Sequence, residues 1–118
     1  MNVEQHSAKA QRVLSSLDKL HFPEDYLAII DGAVIAGYHL GNALLHRHHV
    51  LPESDHANSP SKLLVSVSKL PGAIQPAFHA FSELERLRSE YVRSPTVYNV
   101  RLATEVPALL RIMRQAND

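Results

Sequence analysis

The stretch YLAIIDGAVIAGYHLGNALLHRHH, residues 26–49, decides the fold of this chain. Apolar side chains recur along it at helical spacing, and the other side of the same helix is apolar as well. A helix that is apolar nearly all round is a buried, central helix. Pro23 suits the first turn of a helix, so we expect this central helix to run from about Pro23 to His49.

The flanking segments carry the same periodicity and predict further helices. They cover about residues 3–20, 60–70, 74–93 and 97–116. Leu64 is an expected core residue of the short helix, and Pro107 predicts a kink or a break near residues 103–105 of the last one. The sequence therefore predicts an all-α fold, an up-and-down bundle of four to five helices that forms a single domain over residues 1–118.

Length and composition exclude several classes of protein. The 118 residues suffice for one core, and 12 Lys and Arg balance 12 Asp and Glu, which argues against strong nucleic-acid binding. The chain has no cysteine, which removes disulfides and thiolate chemistry. No apolar run approaches the roughly 20 residues that span a bilayer, and residues 1–11 are too polar for a signal peptide. We therefore expect a cytoplasmic protein without membrane association.

Three glycines, Gly32, Gly37 and Gly41, lie within the predicted central helix. Each costs about 1 kcal/mol relative to alanine inside a helix, so the close approach of a neighbouring helix is the expected compensation. That neighbour belongs either to the same chain, which is the default, or to a second copy in a dimer.

Histidine is the unusual residue of this chain, with eight copies of which half lie at the end of the central helix. His39, Asn42, His46 and His49 share one stripe of that helix, and His56 follows in the next loop. Imidazoles on one face are typical of metal or proton-transfer sites. We predict ligand binding by His39, Asn42, His46 and His56, and metal binding by His46 and His49. The alternative is an adventitious divalent metal at an exposed helix end, beside histidines that only hydrogen-bond in the core.

A second candidate ligand-binding group is Arg86, Arg88 and Tyr91, in the stretch before the last helix. Arginine and tyrosine together can hold a phosphate or stack on a base. The competing interpretation is a solvated helix face with salt bridges, because glutamates are interleaved with the arginines.

Three stretches carry a resemblance to a known family: AVIAGYHLGNALLH (33–46), His56 followed by SKLLVSVSKL (61–70), and LERLRSEYVRSP (84–95). Together, over about residues 24–116, they resemble the HEPN superfamily of small helical bundles. Members of that superfamily accompany nucleotidyltransferases and act as toxins or ribonucleases in bacterial conflict systems. The resemblance implies a bacterial protein with a helical-bundle fold.

The ribonuclease motif of that superfamily is absent. Its members carry an arginine, four to six residues and then a histidine, and no arginine of this chain has a histidine at that spacing. We therefore expect a non-catalytic binding or accessory domain of HEPN-like type, a homodimer acting through a protein partner such as a nucleotidyltransferase or through a nucleotide-like ligand. Two alternatives stay open. One is a metal- or small-ligand-binding, enzyme-like pocket on the histidine-rich helix, and the other is a ribonuclease whose histidine reaches Arg86 or Arg88 only through folding.

Overall fold

The chain forms an all-α bundle. The computed structural model describes residues 1–63 and 65–118, and within them it contains four α-helices and no strand. In chain order the helices are α1 (Val3–Leu17), α2 (Tyr26–Arg47), α3 (Gln75–Leu87) and α4 (Leu102–Ala116). The prediction of an all-α bundle of four to five helices is thereby confirmed.

The helix predicted over residues 60–70 is wrong. The described part of this segment forms two short 3₁₀ turns, Pro60–Lys62 and Val67–Lys69, separated by extended backbone at Leu63 and Ser66. Its backbone N–H groups bond to carbonyls three residues back instead of four, as Leu63 does to Pro60 and Leu70 to Val67. Leu64, the expected core residue, lies outside the described residues.

The last helix begins at Leu102, later than predicted. The preceding residues form a turn in which Asn99 accepts hydrogen bonds from the backbone N–H groups of Arg101 and Leu102. Pro107 lies inside α4, near its start, where its missing N–H costs one hydrogen bond to the carbonyl of Ala103. α4 is continuous through residues 103–105, so no break lies there; the helix begins just before them, at Leu102.

The central helix is α2, which packs against α1, α3 and α4. Its glycines allow these approaches within the chain. A Cβ atom on Gly32 would collide with the Leu17 side chain of α1, and one on Gly37 would lie 3.0 Å from Phe81 of α3. The glycines are thus explained by intrachain packing, and they no longer argue for a dimer seam.

α2 is also long and apolar enough to cross a membrane by length and composition, contrary to the expectation that no such segment exists. Most of it is buried inside the bundle, against the other helices. Its apolar side chains therefore have packing partners within the chain, as in the core helix of a globular fold.

Candidate metal centre

Four histidines meet where α1, the end of α2 and the following loop come together. His6 of α1 lies at the centre, with ring centroids 5.2 Å from His39, 5.3 Å from His46 and 5.0 Å from His56. His6 and His46 are buried, His39 is half-buried and His56 is exposed. We call these four residues the histidine cluster.

Helical spacing explains how α1 and α2 bring their histidines together. His6 lies on the buried stripe of α1, one and two turns before Ala10 and Leu14. His39 and His46 lie seven residues apart, which is two turns on one face of α2. Because α1 packs along α2, its buried stripe places His6 against the face of α2 that carries His39 and His46.

The end of α2 turns the chain back toward the cluster. His49 adopts a left-handed backbone conformation with φ 56°, and the N–H of Val50 donates to the carbonyl of Leu45 at 2.8 Å. This hydrogen-bond pattern terminates helices, and glycine is the usual residue at the left-handed position. His49 therefore forms the helix stop, and its side chain is exposed.

Asn42 then fixes the returning loop. Its buried amide accepts a hydrogen bond from the N–H of Ala57 and donates one to the carbonyl of Ala57, both at 2.9 Å. The same amide nitrogen also donates to the carbonyl of Tyr38 at 2.9 Å. Because His56 is the neighbour of Ala57, this clamp places the His56 imidazole beside His6 and His46.

The two buried imidazoles each use one nitrogen and leave the other without a partner. Nδ1 of His46 lies 3.1 Å from the carbonyl oxygen of Leu51, and Nδ1 of His6 lies 2.9 Å from Nδ1 of His39. Nε2 of His6 and Nε2 of His46 are both buried without a hydrogen-bond partner. A carbonyl oxygen can only accept, so Nδ1 of His46 carries the hydrogen and its Nε2 carries a lone pair.

The geometry suits a metal ion. His6, His46 and His56 each offer a ring nitrogen, and the three atoms lie within 4.8 Å of one another. Zinc binds imidazole nitrogen at about 2.0–2.1 Å, so small side-chain rotations would bring these nitrogens into coordination distance. A ligating histidine commonly donates its other N–H to a carbonyl or similar group, as His46 does to Leu51.

Three histidines of the cluster, His6, His39 and His56, have a pKa that their surroundings lower. Burial, followed by the charges that His39, His56 and His46 would carry, lowers the pKa of His6 from 6.5 to about 4. The pKa of His39 is lowered by burial, then by Lys9 and His56. The pKa of His56 is lowered mainly by partial burial. The direction of each shift favours the neutral ring, which is the state in which a histidine nitrogen can bind a metal ion.

The structure brings together three of the predicted ligand residues, His39, His46 and His56, and adds His6. Asn42 is adjacent, but its amide is occupied by backbone groups, so it positions the loop. His49 is not part of the group of three: His46 is joined by His6 and His56 instead. The sequence-based prediction does not contain His6, although a histidine on the apolar stripe of a helix is itself a signal.

The second predicted group, Arg86, Arg88 and Tyr91, lies partly at the surface and partly in the core. Arg86 is exposed and paired with Glu83 at 3.0 Å and Glu90 at 2.6 Å. Arg88 begins a π-helical turn, Arg88–Val92, that continues α3, and Tyr91 of that turn is buried in the core. Within residues 1–63 and 65–118, no hydrogen bond, ion pair or ring contact joins this group to the histidine cluster.

A groove of about 530 Å³ lies at the other end of α1, between that helix and α4. Its lining combines apolar residues such as Leu14 and Leu110 with charged ones that include Arg111 and Arg114. None of the buried, unpartnered polar atoms of the described residues lies in it. The histidine cluster holds two of these atoms, Nε2 of His6 and Nε2 of His46, and the others are Glu85 Oε1, Arg88 Nε and Asn117 Oδ1.

Comparisons of the chain with family models, curated proteins and solved structures found no match.

Proposed function

We propose that this protein binds a divalent transition-metal ion, best matched by Zn²⁺, through His6, His46 and His56. One observation carries the proposal: His6, His46 and His56 each offer a ring nitrogen within 4.8 Å of the others, and the buried His6 and His46 each have an Nε2 atom without a partner. A buried polar atom without a partner costs about 1–3 kcal/mol. An ion accepting both lone pairs removes that cost.

The donor set favours zinc among the common ions. Three neutral imidazoles without a carboxylate suit zinc, copper, nickel or iron and disfavour magnesium and calcium, which require oxygen ligands. Zinc in particular occurs with three histidine ligands and a fourth external group. The ion would join α1 to the end of α2 and to the loop that follows it, which contains His56.

Titration calorimetry of chelator-treated, untagged protein with Zn²⁺ tests the proposal. We expect one ion per chain. We also expect that His56→Ala weakens binding more than about 100-fold, because loss of an outer hydrogen-bond partner alone costs about 10–100-fold. His56 is exposed, so this substitution leaves the core intact.

His49→Gly is the matched control, because it removes a neighbouring histidine at a position whose left-handed backbone suits glycine. It should fold at least as well as the wild type and bind Zn²⁺ equally tightly. Equal affinity in wild type and His56→Ala contradicts the proposal. Loss of binding in His49→Gly restores the sequence-based pair of His46 and His49.

The remaining sequence-based expectations stay predictions. They are a HEPN-like accessory role, a homodimer, a protein partner such as a nucleotidyltransferase, and a cytoplasmic location. The expectation of no cofactor beyond an adventitious metal competes directly with the zinc proposal, and the stoichiometry of bound zinc separates the two. Light scattering of the purified protein at high micromolar concentration tests the dimer.

A further inference from the structure

We infer that His39 is a positioning residue: it accepts a hydrogen bond from Nδ1–H of His6 and so fixes His6 in the tautomer that presents the Nε2 lone pair to the ion. This inference deepens the proposed zinc function and rests on it for its purpose. The hydrogen bond itself exists independently of any metal, since Nδ1 of His6 and Nδ1 of His39 lie 2.9 Å apart.

Only two arrangements of protons satisfy that contact. Two imidazole nitrogens at 2.9 Å require one donor and one acceptor. If His39 donated, the proton of neutral His6 would sit on Nε2, which is buried and has no acceptor within hydrogen-bond distance.

If His6 donates, the proton positions on His6 and His46 agree with each other. Nε2 of His6 then carries a lone pair, as Nε2 of His46 does because its Nδ1–H is held by the Leu51 carbonyl. The two buried ligands are thus prepared in the same way, each with Nδ1–H fixed by an outer partner. His39 is the hydrogen-bond acceptor for Nδ1–H of His6, as the Leu51 carbonyl is for Nδ1–H of His46.

The position of His39 supports a role outside the coordination shell. It is half-buried on α2, with its ring centroid 5.2 Å from His6 and 4.9 Å from Tyr38. His39 is not among the three residues whose ligand atoms converge. Its Nδ1 is occupied by His6, so it acts on the ion through that ring.

Two variants at one position test the inference. In His39→Asn the amide oxygen takes the approximate place of Nδ1 and still accepts a hydrogen bond, whereas His39→Leu accepts none. We expect the leucine variant to bind Zn²⁺ about 10–100-fold more weakly than the wild type and the asparagine variant to bind within a few-fold of it. A purely structural role for the ring would not be rescued by asparagine.

Long-range ¹H–¹⁵N spectra of the metal-free protein read the tautomer directly. We expect His6 to be protonated at Nδ1 in the wild type and in His39→Asn, and to show a mixture of tautomers in His39→Leu. Protonation of His6 at Nε2 in the wild type overturns the inference, as does wild-type zinc affinity in His39→Leu.

The same spectra separate this inference from the zinc proposal. If the wild type shows the Nδ1–H tautomer but binds no Zn²⁺, the zinc proposal fails while the role of His39 in setting the tautomer stands. If Zn²⁺ binds and the tautomer is the other one, only the role of His39 fails.

Discussion

The histidine cluster and the ion pairs around Arg86 are the two polar regions that stand out in this chain. They differ in whether their polar atoms have hydrogen-bond partners. Both are predicted from sequence as ligand-binding groups. In the folded chain, Arg86 is exposed and already bound on two sides by Glu83 and Glu90. His6 and His46 are buried, and each retains a nitrogen without a partner.

This difference teaches that the number of polar residues in a region says little about whether it binds a ligand. An exposed charge is satisfied by water and by flexible counter-charges, so it exerts little demand for a ligand. A buried nitrogen is shielded from bulk water, so its lone pair needs a hydrogen-bond donor or a bound ion as a partner. Three predictions, beyond the zinc and tautomer experiments above, test this contrast.

The largest expected effect is the acid sensitivity of the metal-free protein. The folded-state pKa of His6 is about 4, below its ordinary value of 6.5, so the unfolded chain takes up the proton first. The stability contributed by neutral His6 is fully present above pH 6.5 and is lost as pH falls toward 4. We expect this residue to account for a loss of about 2–3 kcal/mol in the free energy of unfolding between pH 7.5 and 4.5.

Urea unfolding at the two pH values measures that loss, and His6→Gln is the control because glutamine does not titrate. The fall in stability with acid should be smaller in the variant by about the amount given above. An equal fall in both proteins would show that His6 takes up a proton as readily in the folded chain as in the unfolded one.

The next effect concerns the clamp that fixes the His56 loop. Asn42→Ala leaves the buried N–H and carbonyl of Ala57 without partners, and we expect a loss of about 2 kcal/mol in unfolding free energy. Zinc affinity should fall as well, because His56 is no longer held near His6. Thermal unfolding and calorimetry measure the two effects; wild-type zinc affinity in this variant would show that the loop positions itself without the clamp.

The smallest effect is expected at the exposed ion pairs. Arg86→Ala removes contacts to Glu83 and Glu90 whose side chains are about half exposed, so we expect less than about 1 kcal/mol of change in unfolding free energy. The change should shrink further in high salt. Zinc affinity should be unaffected. A change of several kcal/mol, or a loss of zinc binding, would remove the distinction between the two regions.

Much of the fold could be predicted from periodicity alone. The all-round apolar character of residues 26–49 identifies α2 as central because burial on every side is what such a helix requires. The segment 60–70 and the start of α4 are mispredicted. In the first, 3₁₀ backbone hydrogen bonds stand in place of α-helical ones, and in the second the Asn99 side chain accepts the N–H of Arg101. The spacing of apolar residues carries no information about these local hydrogen bonds.

The sequence alone determined that α2 carries His39, Asn42 and His46 on one face, because spacing along a helix fixes which residues share a face. It could not determine which other segment faces them. His6 is 33 residues from His39, and only the packing of α1 along α2 brings the two rings together. The roles of Asn42 and His49, as loop clamp and helix stop, likewise depend on partners that spacing does not reveal.

Tertiary structure therefore decided the identity of the site. Local periodicity is a property of the backbone geometry of one helix, whereas a ligand set requires several segments to converge with their free atoms pointing inward. That convergence depends on side-chain burial, on the turn at His49 and on the hydrogen bonds that occupy one nitrogen of each ring and leave the other free.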